Sequence, residues 1–557
     1  MTATQQQPTI VVGAAPLTID DVVAVARRDA PVAVSASDVV RRRINGSRQV
    51  AGAAAAEGRA LYGVTTRFGG LARDHLGPQE AIELQNNAVW VHKTGLGRPL
   101  ERSEVRASML VRMNSLLQGY SGVRFELIER FANFLNHGVT PTVHEFGSIG
   151  ASGDLVPLSY VAGALIGSSA GFEVEHHGRR VNARDALEAL GLPPIVLEAK
   201  EGLALINGVS VSTASAALSV SDVRRLTAVY LGAHALMIEA LGARLDGFEP
   251  LIHALKPHPG QIWAADRMRR LLAGSKLAQP SVRAGSRPSV GVSDGPVAGC
   301  LIQDPYSIRC LPQFVAPIVE GIRNAGRQIE IELNSVSDNP LIDPADSAFY
   351  HGGNFLGQVP ALALDRIRHY VGLMAKHLDV QIALLMAPEF SRGLPASLVG
   401  DTSGHVSIGL KGLQITGNSI MPYLSFLGSP VADRFPTHAE QFNQNINSQS
   451  HLASRLSRDS LRAFEYYLGV ALVIAVQAVD LRSYLETGSY DACPVLAPAT
   501  SRLYQAVRTL VGRAPDAARP LVWDDCGQEL DVFVNVLAAD LRHGQAIGEA
   551  LGTDVEP

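Results

Sequence analysis

An all-α fold, a bundle of long helices under a mixed N-terminal cap, is what this 557-residue sequence predicts. Three observations carry that expectation. Stretches 211–245, 311–333, 358–386 and 459–484 are rich in Ala and Leu and hold few helix breakers. Several of these are apolar almost all round, as helices are in the middle of a bundle or an oligomer. Only 172–181, around His177-Gly178, alternates persuasively in the two-residue period of a strand, and it reads as a small hairpin. No internal repeat and no linker interrupts the helical half. The expected regions are therefore an N-terminal cap at 1–206, a central bundle at 207–490 and a C-terminal helical region at 491–557.

In chain order, Thr18-Ile19-Asp20-Asp21 reads as a cap opening a helix over 22–28, and 51–61 reads as a second helix. Tyr62-Gly63-Val64-Thr65-Thr66-Arg67-Phe68-Gly69-Gly70 follows, a loop able to fold over a site with a phenol at its start. Val123, Leu127, Phe131 and Leu135 share one helical face, and Gly138 and Pro141 end that element. The Gly-, Ser- and Pro-dense stretch 273–299 predicts a long mobile loop.

Composition excludes several classes. A net charge of −5 with 18% charged residues leaves no basic field for nucleic acid. Hydrophobic content of 46% argues for a packed core. Cys300, Cys310, Cys493 and Cys526 are too few for a disulfide framework and lack metal-ligand spacing, which suits a reducing cytoplasm. Residues 1–16 are polar without a signal-peptide core, and the most apolar run, 466–479, is shorter than the ~20 residues that span a bilayer. The expectation is a soluble, cytoplasmic protein with no membrane segment and no bound metal or nucleotide.

The chemistry gathers at Gly147-Ser148-Ile149-Gly150-Ala151-Ser152-Gly153-Asp154-Leu155-Val156-Pro157-Leu158. A Gly after Ser lets its backbone nitrogen approach the carbonyl carbon of Ala151, because no Cβ blocks the tight turn. Ring closure and loss of water from Ser152 would leave an exocyclic methylene, an electrophile the ordinary side chains lack. The whole string resembles the signature of the aromatic amino acid ammonia-lyase and aminomutase family, which builds the methylidene-imidazolone group (MIO) from these three residues. That resemblance runs from about Tyr62 into the C-terminal region and implies the fumarase/aspartase-like helical fold.

The resemblance also implies site roles. Tyr62, in the family's Tyr-Gly-Val-Asn/Thr lid, would be the catalytic acid/base, with Arg67 standing where many members have a small residue. Such a base must be deprotonated near neutral pH, so its pKa is expected below the phenol's ~10, pulled down by positive charge or helix N-termini. Asn207, in Glu201-Gly202-Leu203-Ala204-Leu205-Ile206-Asn207-Gly208, would hydrogen-bond the MIO, with Leu203 in the substrate pocket. Gln303-Asp304-Pro305-Tyr306-Ser307-Ile308-Arg309 matches a family string in which Tyr306 sits against the MIO and Arg309 grips the substrate carboxylate. A guanidinium fork suits that grip. Asn339 would be a second carboxylate contact and Phe355 an aromatic packed on the MIO, with Leu356 in place of a common His. Glu440 and Gln444 would lie near the substrate amine.

For substrate choice, Val91-His92 falls on the family's selectivity pair, and His92 leans toward a polar ring. Residues 432–449 look instead like bacterial phenylalanine ammonia-lyases, and histidine lyases carry Glu where Gln444 stands. L-Phenylalanine or L-tyrosine is therefore the expected substrate, with a histidine lyase or a 2,3-aminomutase as alternatives. The all-round apolar helices are expected to need partner chains. The family packs four such chains, so Tyr62, the 303–309 stretch and the MIO would come from different subunits of a homotetramer.

Overall fold

The computed structural model describes residues 7–35, 37–281, 303–400, 406–543 and 546–552, so 282–299 of the expected loop lies outside the described residues. The described chain is mostly helical and divides into two compact units. One comprises residues 1–221, 325–365 and 430–458; the other comprises 222–324, 366–429 and 459–557. This division is not the sequential one expected from composition. Four of its five borders fall inside long helices, so contiguous stretches of sequence do not correspond to units.

In the first unit the capping box at Thr18 and Asp21 starts the helix Ile19–Arg27, one turn earlier than the apolar pattern suggested. The helix expected at 51–61 begins far upstream and runs Asp38–Ala56, stopping before Gly58 at a left-handed φ of 62°. Its centre is Arg102–Leu117, in which every residue from Glu104 to Leu117 is buried. That burial hides any two-sided pattern, and so this helix left no periodic signal in the sequence.

The hairpin of Glu173–His176 and Arg179–Asn182 forms with Val174 opposite Val181. His177 and Gly178 both take left-handed φ (51° and 73°), as a two-residue turn matched to strand twist requires. It is not the only β element. Ile10–Val12 pairs in parallel with Val32–Val34, and Leu96–Pro99 pairs antiparallel with His144–Phe146. Thr140–Pro141 extends the hairpin, and Leu341–Asp343 pairs with Ala348–Tyr350. These strands are two to four residues long, too short to show alternation.

The long helices appear as Ser210–Ala240, Leu311–Leu333, Gln358–Met386 and Ser450–Thr487. Two match the expected bounds; the first stops early at Gly242, which turns left-handed at φ 55°. Ser450–Thr487 is long and apolar enough to cross a membrane, and 89% of its most apolar window is buried within the chain. Val470–Val479 and the apolar side chains from Val211 to Leu241 are already buried in a single copy. The expectation that these helices need partner chains is thereby corrected: their own chain surrounds them.

Candidate active site

All of the 147–158 string lies in the first unit. Gly153 has φ 71°, and a Cβ on it would stand 2.3 Å from the carbonyl carbon and oxygen of Gly208. Only glycine allows that approach. The Asp154 N–H then donates to Gly208 O (2.7 Å), and the helix Leu155–Ile166 begins. The Asp154 carboxylate is fully buried and accepts from the Ser212 N–H and hydroxyl, both at 2.8 Å. Burial raises its pKa, opposed by those Ser212 bonds and by Ser148.

In front of this turn the Asn207 side chain donates from Nδ2 to Ser152 O (3.1 Å) and Ser152 Oγ (3.0 Å). Asn207 caps the C-terminal end of Glu201–Ile206, which fixes its direction. Ala151, Ser152 and Asn207 line a cavity of about 560 Å³, within the range of small-molecule sites. Tyr62, Asn339, Phe355 and Gln444 line the same cavity. The residues fit an MIO. The chain is bent tightly at Gly150 and Gly153, and Ser152 O, which would become the ring carbonyl, already carries an amide donor.

The Tyr62 hydroxyl accepts from the Gly69 N–H at 3.1 Å, and its ring meets Phe68 and His351 edge-on, each at 6.4 Å. Its pKa is raised, contrary to the depression expected of a base. Burial is the chief cause and the Glu440 charge adds to it, while only the Gly69 N–H pulls the other way. A second correction concerns assembly. Tyr62 and the Ala151-Ser152 pair do not require different subunits, since one chain sets both on one cavity.

The remaining site residues fall into three groups. Asn339 accepts from the Gly352 N–H (2.9 Å) through Oδ1, and its own N–H donates to Asp338 Oδ1 (2.7 Å). Asp338 in turn pairs with Lys200 Nζ at 2.7 Å, both side chains fully buried. Leu203 is buried beneath the lid: a Cβ on Gly63 would lie 2.3 Å from its Cδ2. Glu440 sits against Gly69, near Tyr62, and Ala439 and Gln444 exchange backbone hydrogen bonds at 3.2 Å that close the loop between them.

Val91 and His92 are not among the cavity's lining residues. Val91 is two-thirds exposed, and His92 caps its own helix with Nδ1 2.7 Å from Ala88 O. At the end of Pro78–Val91, His92 thus meets a terminal carbonyl of its own helix. Gln303, Tyr306 and Arg309 belong to the second unit. There the Arg309 guanidinium lies 4.5 Å over the Tyr306 ring and Nε donates to Asp304 O (3.1 Å). His377 Nε2 and Gln381 Nε2 both bond Ser307 O, at 2.6 and 2.9 Å. Sequence reasoning gave no role to His351, Asn443 or Ile446, which also line the cavity.

The family model for aromatic amino acid lyases matches residues 17–509. The chain belongs to that family. It is thus a carbon–nitrogen lyase with the family's helical fold. It is 50% identical to a phenylalanine ammonia-lyase of Nostoc punctiforme over 97% of this chain and 94% of the relative. An aromatic ammonia-lyase of Loktanella atrilutea is 47% identical, covering 96% of each. Among solved structures, the tyrosine aminomutase from Streptomyces globisporus superposes with a TM-score of 0.85. That match is at 30% identity and covers 98% of this chain and 100% of the other.

Proposed function

We propose that this lyase eliminates ammonia non-oxidatively from L-phenylalanine, and secondarily from L-tyrosine, giving trans-cinnamate or p-coumarate. The observation that carries the proposal is one cavity on which Ser152, held by Asn207, faces the Tyr62 phenol. Half-identity with a phenylalanine ammonia-lyase supports the substrate.

On this reading an MIO formed autocatalytically from Ala151-Ser152-Gly153 supplies the electrophile that activates the substrate. Asn207 polarises the carbonyl of Ser152 through its amide. Phe355 offers an apolar wall, and Asn339 an amide for the substrate carboxylate. Glu440 and Gln444 suit the ammonium, as acceptors beside the lid. Tyr62 removes the β-proton. Because burial and Glu440 keep its proton on, its base form needs a cation close by. The substrate ammonium and the Arg309 guanidinium of a neighbouring copy are the cations available.

That last role makes the enzyme a homotetramer in which the Gln303, Tyr306 and Arg309 stretch completes a neighbour's cavity. The strongly exposed Ile415, Tyr423 and Phe426 on Lys411–Leu427 support association. Cys310, Cys493 and Cys526 are all free thiols, in keeping with a cytoplasmic setting.

An aminomutase activity is the second reading, favoured by the superposition on tyrosine aminomutase. Incubation with Phe, Tyr and His, with product identification, decides. Ammonia and an arylacrylate from Phe support the proposal, whereas a β-amino acid as main product refutes it in favour of the mutase. Ser152→Ala should stay folded and lose nearly all turnover; an active variant would refute the MIO assignment.

A further inference from the structure

Arg112 is a fully buried cation at the heart of Arg102–Leu117, and it pairs with no carboxylate among the described residues. Its guanidinium instead collects carbonyls. Nη1 donates to Ser337 O (2.7 Å), while Nη2 donates to Asn207 O (3.0 Å) and to Ala204 O. Two of these carbonyls end the helix Glu201–Ile206, where a cation is favourable. Burial lowers the Arg112 pKa to about 10, with Asp338 and Asp154 opposing, so it stays charged near neutral pH.

What this cation holds is the strap on which the ring-forming residues rest. Asn207 grips Ser152 from one side through its amide. Gly208 supports Gly153 and Asp154 from the other side, accepting the Asp154 N–H at 2.7 Å. Gly208 itself lies directly on Arg112: a Cβ there would stand 2.2 Å from Nη1 and 2.6 Å from Ser337 O. Both strap residues that touch the Ala151-Ser152-Gly153 turn, Asn207 and Gly208, therefore lie against one guanidinium.

We propose that Arg112 is a positioning residue for maturation, holding the 207–208 strap so that the Gly153 nitrogen can close on the Ala151 carbonyl carbon. This rests on the MIO reading above. The step is redox-neutral. A bond forms from Gly153 N to Ala151 C. The Ala151 oxygen leaves as water with the Gly153 and Ser152 amide protons. The Ser152 hydroxyl and Cα proton leave as a second water, creating the exocyclic double bond. A matured chain is thus lighter by two waters, a readout independent of turnover.

The test is intact mass and near-ultraviolet absorbance of the purified full chain, as wild type, Arg112→Lys, Gly208→Ala and Arg106→Lys. Arg112→Lys keeps the charge but loses the fork; Gly208→Ala keeps Arg112 and displaces it. Both should fold and show the two-water deficit in a fraction lowered by about tenfold, as misplacement of reacting atoms by roughly 1 Å readily costs. Arg106→Lys alters a buried guanidinium on the same helix that donates to Val25 O and Leu135 O rather than to the strap, and should mature fully. Full maturation of folded Arg112→Lys and Gly208→Ala overturns the role of Arg112 alone. Failure of both to fold also overturns it, making Arg112 a folding residue. A wild-type chain with no deficit overturns the MIO reading itself.

Discussion

Asn207→Ala separates activity from stability, because the structure sets the two effects at very different sizes. The side chain donates twice from Nδ2, to Ser152 O and Ser152 Oγ. Losing two hydrogen bonds costs about 1–3 kcal/mol, since each is worth roughly 0.5–1.5 net. Against this, Asn207 Oδ1 is buried without a partner. Truncation removes that orphaned acceptor and returns about 1–3 kcal/mol. The terms nearly cancel, so the midpoint of denaturation should stay close to wild type. Catalysis has no such compensation. The Nδ2 bond to Ser152 O is a preorganised donor aimed at the reacting group, and removing one such donor costs about 10²–10³ in kcat. The assay is kcat and KM on L-phenylalanine beside a urea titration of the same preparation. Turnover within a few fold of wild type, or a large fall in stability with turnover kept, would refute the placement of Asn207 at the reacting centre.

Three further outcomes are expected. Tyr62→Phe removes only the phenolic oxygen and leaves the Gly69 N–H without its acceptor, so stability falls by about 1 kcal/mol while turnover drops about 10²–10⁴-fold; unchanged rates in steady-state assays would move the base elsewhere. Burial alone would raise the Glu104 pKa, but Arg455 outweighs it, with Ser215 adding a hydrogen bond, and the carboxylate is held at about 2 against an ordinary 4.5. Its folded pKa is depressed, so about 3 kcal/mol of stability is present above roughly pH 4.5 and is lost as pH falls toward 2; in urea titrations across that window, the wild-type advantage over Glu104→Gln should shrink. His92→Leu should leave the ratio of kcat/KM for Phe, Tyr and His unchanged, because the ring serves the Ala88 carbonyl; a tenfold swing toward Phe would return His92 to the substrate pocket.

The family, the helical class and the tight turn at Ala151-Ser152-Gly153 were all legible in the sequence. Each is carried by local strings: Ala- and Leu-rich runs, or a glycine where no Cβ fits. The Leu311–Leu333 and Gln358–Met386 helices could be bounded for the same reason, by runs of helix formers with clear ends. Arg102–Leu117 could not, because a helix buried on every side shows no periodicity to read. Electrostatics was the least legible property. Whether Tyr62 titrates low or high depends on what surrounds the phenol, and burial beside Glu440, more than 370 residues on in the chain, pushes it up. Likewise Arg112, which reads as an ordinary helical charge, becomes the support of Asn207, because the fold turns the carbonyls of Ala204, Asn207 and Ser337 onto one guanidinium. The order of residues determined which chemistry the chain can carry. The environment of each charge was decided only by tertiary structure, since burial and long-range partners are not properties of any local stretch.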